Sequence, residues 1–466
     1  MLHILFIISH LFYQPRYWLA CPQLTEIRSI TASPRSVFIA VPDGVYILER
    51  TTLKHTRTVT MLDGITGKIK ICAYNPVDNA VLIATDERLY NFLPITNQIV
   101  LLNPPFKQIR SIGITRQGAF FDTEDGLFHK IRTADLYQPV ATTPESIIWY
   151  GTKDTSPLNN YTFLTPYFVV DANLTPCPFL KAWHNPYDRR LFVFAQNYGI
   201  LVYNLLTGLK EKELRIGPFL PEINLIFPWQ NRLAFWTQKG IFTLDSAGNW
   251  SFSPLQKTQL PVSTSHPLIF QLHQLNRLEI VTAFLFLDKD TTLIGTSQGI
   301  YLFAPNAENI GFVPTPSSVN AIARARDSII VATDNGLFLF INDTLTQVSD
   351  PFARSDWGVF AITETGKKFY FGTLGGVLEL DSNNTWRHLI PPGFDLSQPV
   401  RTLTSGGKFL FVGSRNGIEV YDTEHKIWSR IDLPYPRINA LYADNRYLWL
   451  ASQEIVIRYD YRAQLR

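Results

Sequence analysis

Apolar and polar positions fall in blocks along this chain, and the blocks repeat. "TLIGTSQGIYLF" (292–303) is an apolar run, a short polar hinge ending at Gly299, and a second apolar run. The arrangement returns as "FYFGTLGGVLELD" (369–381) and "LFVGSRNGIEVYD" (410–422), and in looser form along the whole chain. With the hinge residue as marker, the copies stand at Gly44, Arg88, Gly126, Gly199, Gly240, Gly299, Gly336, Gly376, Gly417 and Glu454. Seven of the nine separations lie between 37 and 44 residues, so the period is about 40. Each copy carries a further strand-like segment before the hinge pair ("EIRSITAS", "VNAIARA", "INALYAD") and an aromatic-led segment after it ("NWSF", "NTWRHL", "KIWSRI"). One unit therefore reads as four short strands joined by tight turns, with DG, NG and QG hinges supplying hairpin geometry. No stretch of useful length has helical period.

Four strands per repeat of about 40 residues predict an all-β β-propeller of about ten four-stranded blades. The second strand of each unit is apolar at nearly every position, as a strand covered on both faces must be. One large ring is the favoured expectation, with two smaller propellers as the alternative. The last unit stops after its third strand at "IVIRYDYRAQLR", and "RYWLACPQL" near the start can supply the missing fourth. Two separations exceed the period. They place insertions at about 131–180 and 250–276 of a propeller covering 21–466. Trp149, Tyr150, Tyr161, Tyr167 and Phe168 in the first insertion are candidates for a contact patch, since insertions in such arrays collect on one face.

Composition narrows the function. Charged residues make up 17% against a usual ~25%, aromatics 13%, and the net charge is +3. With no dense basic run or stripe, nucleic-acid binding is not expected. The opening "MLHILFIISHLFY" is too short to span a bilayer but suits a signal-peptide core, so residues 1–20 read as a signal peptide. "WLAC" after it leaves Cys21 as a possible lipid-attachment position. No later stretch is long and apolar enough to span a membrane as a helix. The expected location is therefore periplasmic or extracellular, with membrane association through Cys21.

The three closely matching copies, "TLIGTSQGIYLF", "KFYFGTLGGVLELD" and "FLFVGSRNGIEVYD", resemble the two-component regulator propeller repeat, whose core reads roughly Leu-Trp-Ile-Gly-Thr, two spacers, Gly-Gly-Leu. Units one to five and the tenth have lost the Gly-Thr pair. The resemblance implies blades and carries no chemistry of its own. It also implies an extracytoplasmic sensor-type module, although the membrane helix and kinase of that family are not found in this sequence.

Catalytic signatures do not emerge. The nine histidines make no ligand spacing, "DKD" at 288–290 sits where a turn falls, and there is no nucleophile elbow, P-loop or dinucleotide fingerprint. The three cysteines match no metal or redox pattern, and Cys72 in "IKICAY" reads as a buried inert thiol. No metal and no cofactor is expected. The reading is a non-catalytic exported propeller binding a protein or glycan partner, in an envelope assembly or a sensor. The alternative is a propeller enzyme, a polysaccharide lyase or hydrolase with its site in the central channel.

Overall fold

The computed structural model describes residues 9–10, 17–130, 136–153, 157–171, 175–219, 222–229, 231–246, 248–254, 275, 279–288, 291–303, 311–325, 328–342, 344–352, 357–392, 394–395, 397–415, 417–435 and 437–465. It is all-β: ten sheets, numbered one to ten in the chain order of their hinge markers, nine built on four consecutive antiparallel strands and the tenth on three plus a strand from the start of the chain, an arrangement consistent with a multi-blade β-propeller. Every hinge marker of the sequence is the first residue of a sheet's third strand or the residue just before it. In sheet six, for example, Thr292–Thr296 turns at the hinge into Gly299–Phe303.

The Gly-Thr pair of the well-matched copies has a physical origin. Thr296 donates its hydroxyl to the Gly299 carbonyl (3.1 Å) and accepts from the Gly299 N–H (3.2 Å), closing the hairpin. Thr333, Thr373 and Ser414 make the same hydroxyl-to-carbonyl bond in sheets seven to nine. The glycine before the threonine lets neighbouring sheets approach. A Cβ on Gly295 would lie 2.6 Å from Val319 of the next sheet, and one on Gly372 would lie 2.4 Å from the Val400 carbonyl oxygen. At the hinge itself, Gly376 has φ +143°, a conformation that residues with a Cβ rarely adopt.

The apolar second strands are sandwiched as expected. Sheet one buries Phe38 and Ala40 against Val81 and Ile83 of sheet two, and sheet two packs Leu82 and Ala84 on Ile112 and Phe121 of sheet three. Sheets five to ten pack in chain order, each on the next, from Trp236 and Ile241 against Ile294 through to Phe411 and Val420 against Leu450 and Ile457. A further cluster gathers sheets one, four, five and ten around Ile39, Phe192, Phe235 and Ala451. Across it, the first strand of sheet four (Pro176–Asn185) touches that of sheet one (Ser29–Ala32), and the first strand of sheet five (Leu225–Trp229) touches that of sheet ten (Ile438–Ala443).

Sheet ten takes its outer strand from the beginning of the chain. Trp18–Pro22 pairs antiparallel with Ile455–Tyr459, as the truncated last unit anticipates. Trp18 stacks on Tyr459 with ring centroids 4.2 Å apart. Ala20 faces the cluster shared with sheet nine, while Cys21 faces the opposite one. Among the described residues, no helix is long and apolar enough to cross a membrane.

Candidate functional site

Described parts of the first insertion add strands beyond the first strand of their sheets. Ile148–Gly151 pairs with Ile109–Ile114 in sheet three, and Phe168–Val170 pairs with Pro176–Asn185 in sheet four. Trp149 and Tyr150 therefore belong to one sheet and Phe168 to another, with Tyr161 and Tyr167 in the segment leading into Phe168. Tyr150 is buried and its oxygen accepts from the Thr31 hydroxyl (3.1 Å) in sheet one. Trp149 lies under the Lys153 ammonium, 4.6 Å from its ring centroid. Tyr161 and Tyr167 pack, half-buried, over one face of sheet four, around Leu164 and Phe179. Phe168 is 38% exposed. Tyr161 and Tyr167 thus cover a sheet face, Phe168 stays exposed, and the five aromatics are divided between two sheets. The second insertion, 250–276, lies outside the described residues except at its edges, as do Lys289 and Asp290 of the "DKD" turn.

A cleft of about 690 Å³ opens where the hinge turn of sheet nine meets the connections on either side of it. Four arginines line it. Arg401 arrives on the connection from sheet eight, Arg415 on the hinge turn, Arg437 on the connection to sheet ten, and Arg430 on the fourth strand of sheet nine. Connections and hinge turns emerge on the same side of a four-stranded blade, and three separate loops therefore bring their charges together. Arg430 is committed: it reaches the buried Glu419 (2.7 Å) and Asp432 (2.6 Å). Arg401, Arg415 and Arg437 are exposed, and no described carboxylate lies within salt-bridge distance of them. The backbone fixes two of these loops to each other through Arg437 N–H donating to the Arg415 carbonyl (2.8 Å). Arg401 lies over the Phe360 ring, 5.0 Å from its centroid. Asp395 accepts from the Ser397 hydroxyl (2.7 Å) and N–H (3.0 Å). These bonds, with the field of Arg415, hold its carboxyl below the usual range. The cleft thus sets four guanidiniums against the carboxylates of Asp395 and Glu419.

On the opposite side, a cleft of about 450 Å³ lies between sheets seven and eight, floored by Leu339, Phe369, Phe371 and Trp386 and rimmed by Glu364 and Asp381. Asp422, Glu424 and His425 offer three ligand atoms within 4.8 Å of one another. The Lys408 ammonium already lies 2.9 Å from Asp422 and 3.6 Å from Glu424. Burial alone would raise the Asp422 carboxyl, but the His425 and Glu424 N–H groups and Lys408 outweigh it and hold it well below the usual range. A lysine serves there as the cation.

The arginines escape sequence reading because no two are adjacent and they come from three loops and a strand. Their shared loop class is the one signal that could have assembled them: Arg401 and Arg437 both lie just before a first strand, and Arg415 follows the capping Ser414.

No protein-family model and no curated protein matches the chain. Among solved structures it is similar to the extracellular domain of a hybrid two-component system from B. thetaiotaomicron, at 13% identity over 97% of this chain and 70% of that one, with a TM-score of 0.41. It is also similar to the Neurospora crassa Pan2 WD40 domain (12% identity, 61% and 89% of the two chains, TM-score 0.34). A third likeness is to BBS1N from its complex with ARL6DN (16%, 58% and 87%, TM-score 0.34). These are distant likenesses of shape, and no function is carried across them.

Proposed function

We propose that this chain is an exported β-propeller interaction module that binds its partner on the hinge-side face, at the arginine-lined cleft of sheets eight to ten. The observation that carries this reading is the convergence of Arg401, Arg415 and Arg437 from three loops into one cleft where, among the described residues, none of them is in salt-bridge contact and Asp395 alone offsets part of their charge. Guanidiniums stay charged across physiological pH and only donate hydrogen bonds. They suit recognition of an anion and do not shuttle protons, which favours binding over lyase or hydrolase chemistry. The two carboxylates of the cleft are engaged by Arg430 and Ser397.

The packing partners support the two-propeller alternative over the single ring: sheets one to four form one group and sheets five to ten a six-bladed one, meeting at their shared cluster. The apolar run "MLHILFIISHLFY" supports a signal peptide over residues 1–20 and so export to the periplasm or cell exterior. Because Trp18, Leu19 and Ala20 pair in sheet ten, a cut before Trp18 leaves that sheet whole, whereas one after Ala20 removes three of its five pairings.

The test places a photo-crosslinking residue at Ser414 on the hinge side, or at Asn383 on the opposite side, of the otherwise intact protein, and irradiates it with envelope material from the source cells. A discrete adduct from position 414 and none from 383 is expected. Adducts from 383 alone, or release of new sugar ends from polysaccharide by the purified protein, would overturn the proposal.

A further inference from the structure

Resting on that reading, we infer the chemistry of the partner: the arginine cleft accepts an acidic protein segment, through side-chain carboxylates of Asp or Glu spaced along an extended peptide. Three features of the cleft carry this. First, its free donors are guanidiniums, planar forks that match a carboxylate with two parallel hydrogen bonds. Three of them on separate loops suit several carboxylates distributed along a chain better than one compact anion. Second, the walls between the arginines include Phe394, Pro399 and Ile438 as well as polar groups, so aliphatic residues between the acidic ones find apolar contact. Third, among the described residues the cleft offers no open aromatic platform. The face of Phe360 is taken by Arg401, and Phe394 packs half-buried into the cluster of sheets eight and nine. Single-stranded nucleic acids rely on such a platform, and sugar rings equally present broad faces for aromatic contact. A peptide needs none. The volume of about 690 Å³ falls within the range of sites that enclose a ligand, so a few residues of the segment would be held rather than merely attracted.

Charge fixes the sign of the partner and Arg430 fixes its reach. With Glu419 and Asp432 already on Arg430, Arg401, Arg415 and Arg437 outnumber the one remaining cleft carboxylate, Asp395, and leave an excess of positive charge at the mouth. The acidic segment therefore binds across the mouth and leaves the buried ion pair intact.

The experiment titrates the full-length protein by calorimetry with three probes. They are a twelve-residue peptide alternating Glu and Leu pairs, its Gln-for-Glu counterpart, and oligogalacturonate of similar length. The acidic peptide is expected to bind, weakening as salt rises from about 0.05 M to about 0.3 M, and the Gln peptide is not. Arg415→Ala and Arg437→Ala should each weaken binding about tenfold or more, while Arg116→Ala, an exposed arginine on sheet three, changes nothing. Arg415→Lys keeps the charge and loses the fork, so binding should fall even if the alanine variant is poorly folded. Binding of oligogalacturonate as tight as that of the acidic peptide overturns the peptide assignment and leaves the anion-binding face standing. No binding of either anion, with the hinge-side crosslink still formed, overturns this inference alone. Absence of both binding and crosslink overturns the proposed function with it.

Discussion

The contact between sheets five and ten can be measured by a double-mutant cycle on Phe235 and Trp449. Phe235 is fully buried, and its ring meets Trp449 of sheet ten edge-on, with centroids 5.9 Å apart and planes at 73°. Replacing each by Leu keeps most of the apolar volume. Each single change should therefore cost about 1–3 kcal/mol, below the cost of truncation to Ala. The aromatic pair itself is worth about 0.5–1.5 kcal/mol beyond its buried area. Only the double variant, compared with the sum of the singles, isolates that value. The assay is urea unfolding followed by circular dichroism, with midpoints compared at a common slope. The control pairs Phe235→Leu with Phe121→Leu in sheet three, where the two residues lie in separate clusters and the costs should add within about 0.5 kcal/mol. Coupling of about 0.5–1.5 kcal/mol between residues 235 and 449 is expected. In a single ring of ten blades, sheets five and ten stand on opposite sides of the axis and cannot couple. Strict additivity would therefore refute the six-bladed grouping.

Other outcomes follow from the same packing. Burial pushes the Cys21 and Cys72 thiols up to about 12, so neither should react with a maleimide at neutral pH until the protein unfolds; fast labelling of Cys21 in the native state would contradict the closing strand. His55 is held down to about 4, mainly by burial, against 6.5 for a free histidine. The unfolded chain then binds the extra proton first, so stability is full above about 6.5 and declines as pH falls toward about 4, by ~3 kcal/mol. His55→Gln should flatten that slope in a pH series of melts. Glu419→Ala strands Arg430 beside a buried gap and should cost about 1–3 kcal/mol, part of the loss being offset by Asp432; an unchanged denaturation midpoint would deny the pair any structural role. Gly299→Ala would set a Cβ 2.4 Å from the Val313 carbonyl oxygen and should lower the melting temperature of the intact chain, whereas Gly248→Ala, which meets nothing within 4 Å, strains only its backbone and should lower it less.

The architecture was legible because a blade imposes a local, periodic demand. Two covered faces require an apolar second strand, a narrow hairpin requires Gly299 and Gly376, and hairpin closure asks for a hydroxyl such as Thr296. Each writes itself into the chain every forty residues or so. Even the closing strand could be anticipated, since a unit lacking its fourth strand leaves a debt that "RYWLACPQL" can settle. The grouping of the sheets could not be read, because Phe235 and Trp449 look like any other core aromatics and nothing local records which face meets which. The cleft was hidden for a related reason. Arg401, Arg415 and Arg437 acquire meaning only when three loops are brought to one side, while the aromatics of the first insertion stand out in sequence and fall on two different sheets.

Joining Trp18–Pro22 to Ile455–Tyr459 also sets a timetable. At ordinary synthesis speeds of about 5–20 residues per second, the earlier strand waits on the order of 20–90 s for its partner to be made. Throughout that interval the outer strand of the tenth sheet exists without the strand it pairs with, and its backbone groups on that side are left open. A copy broken off anywhere before residue 455 would leave that waiting strand free to pair with another molecule.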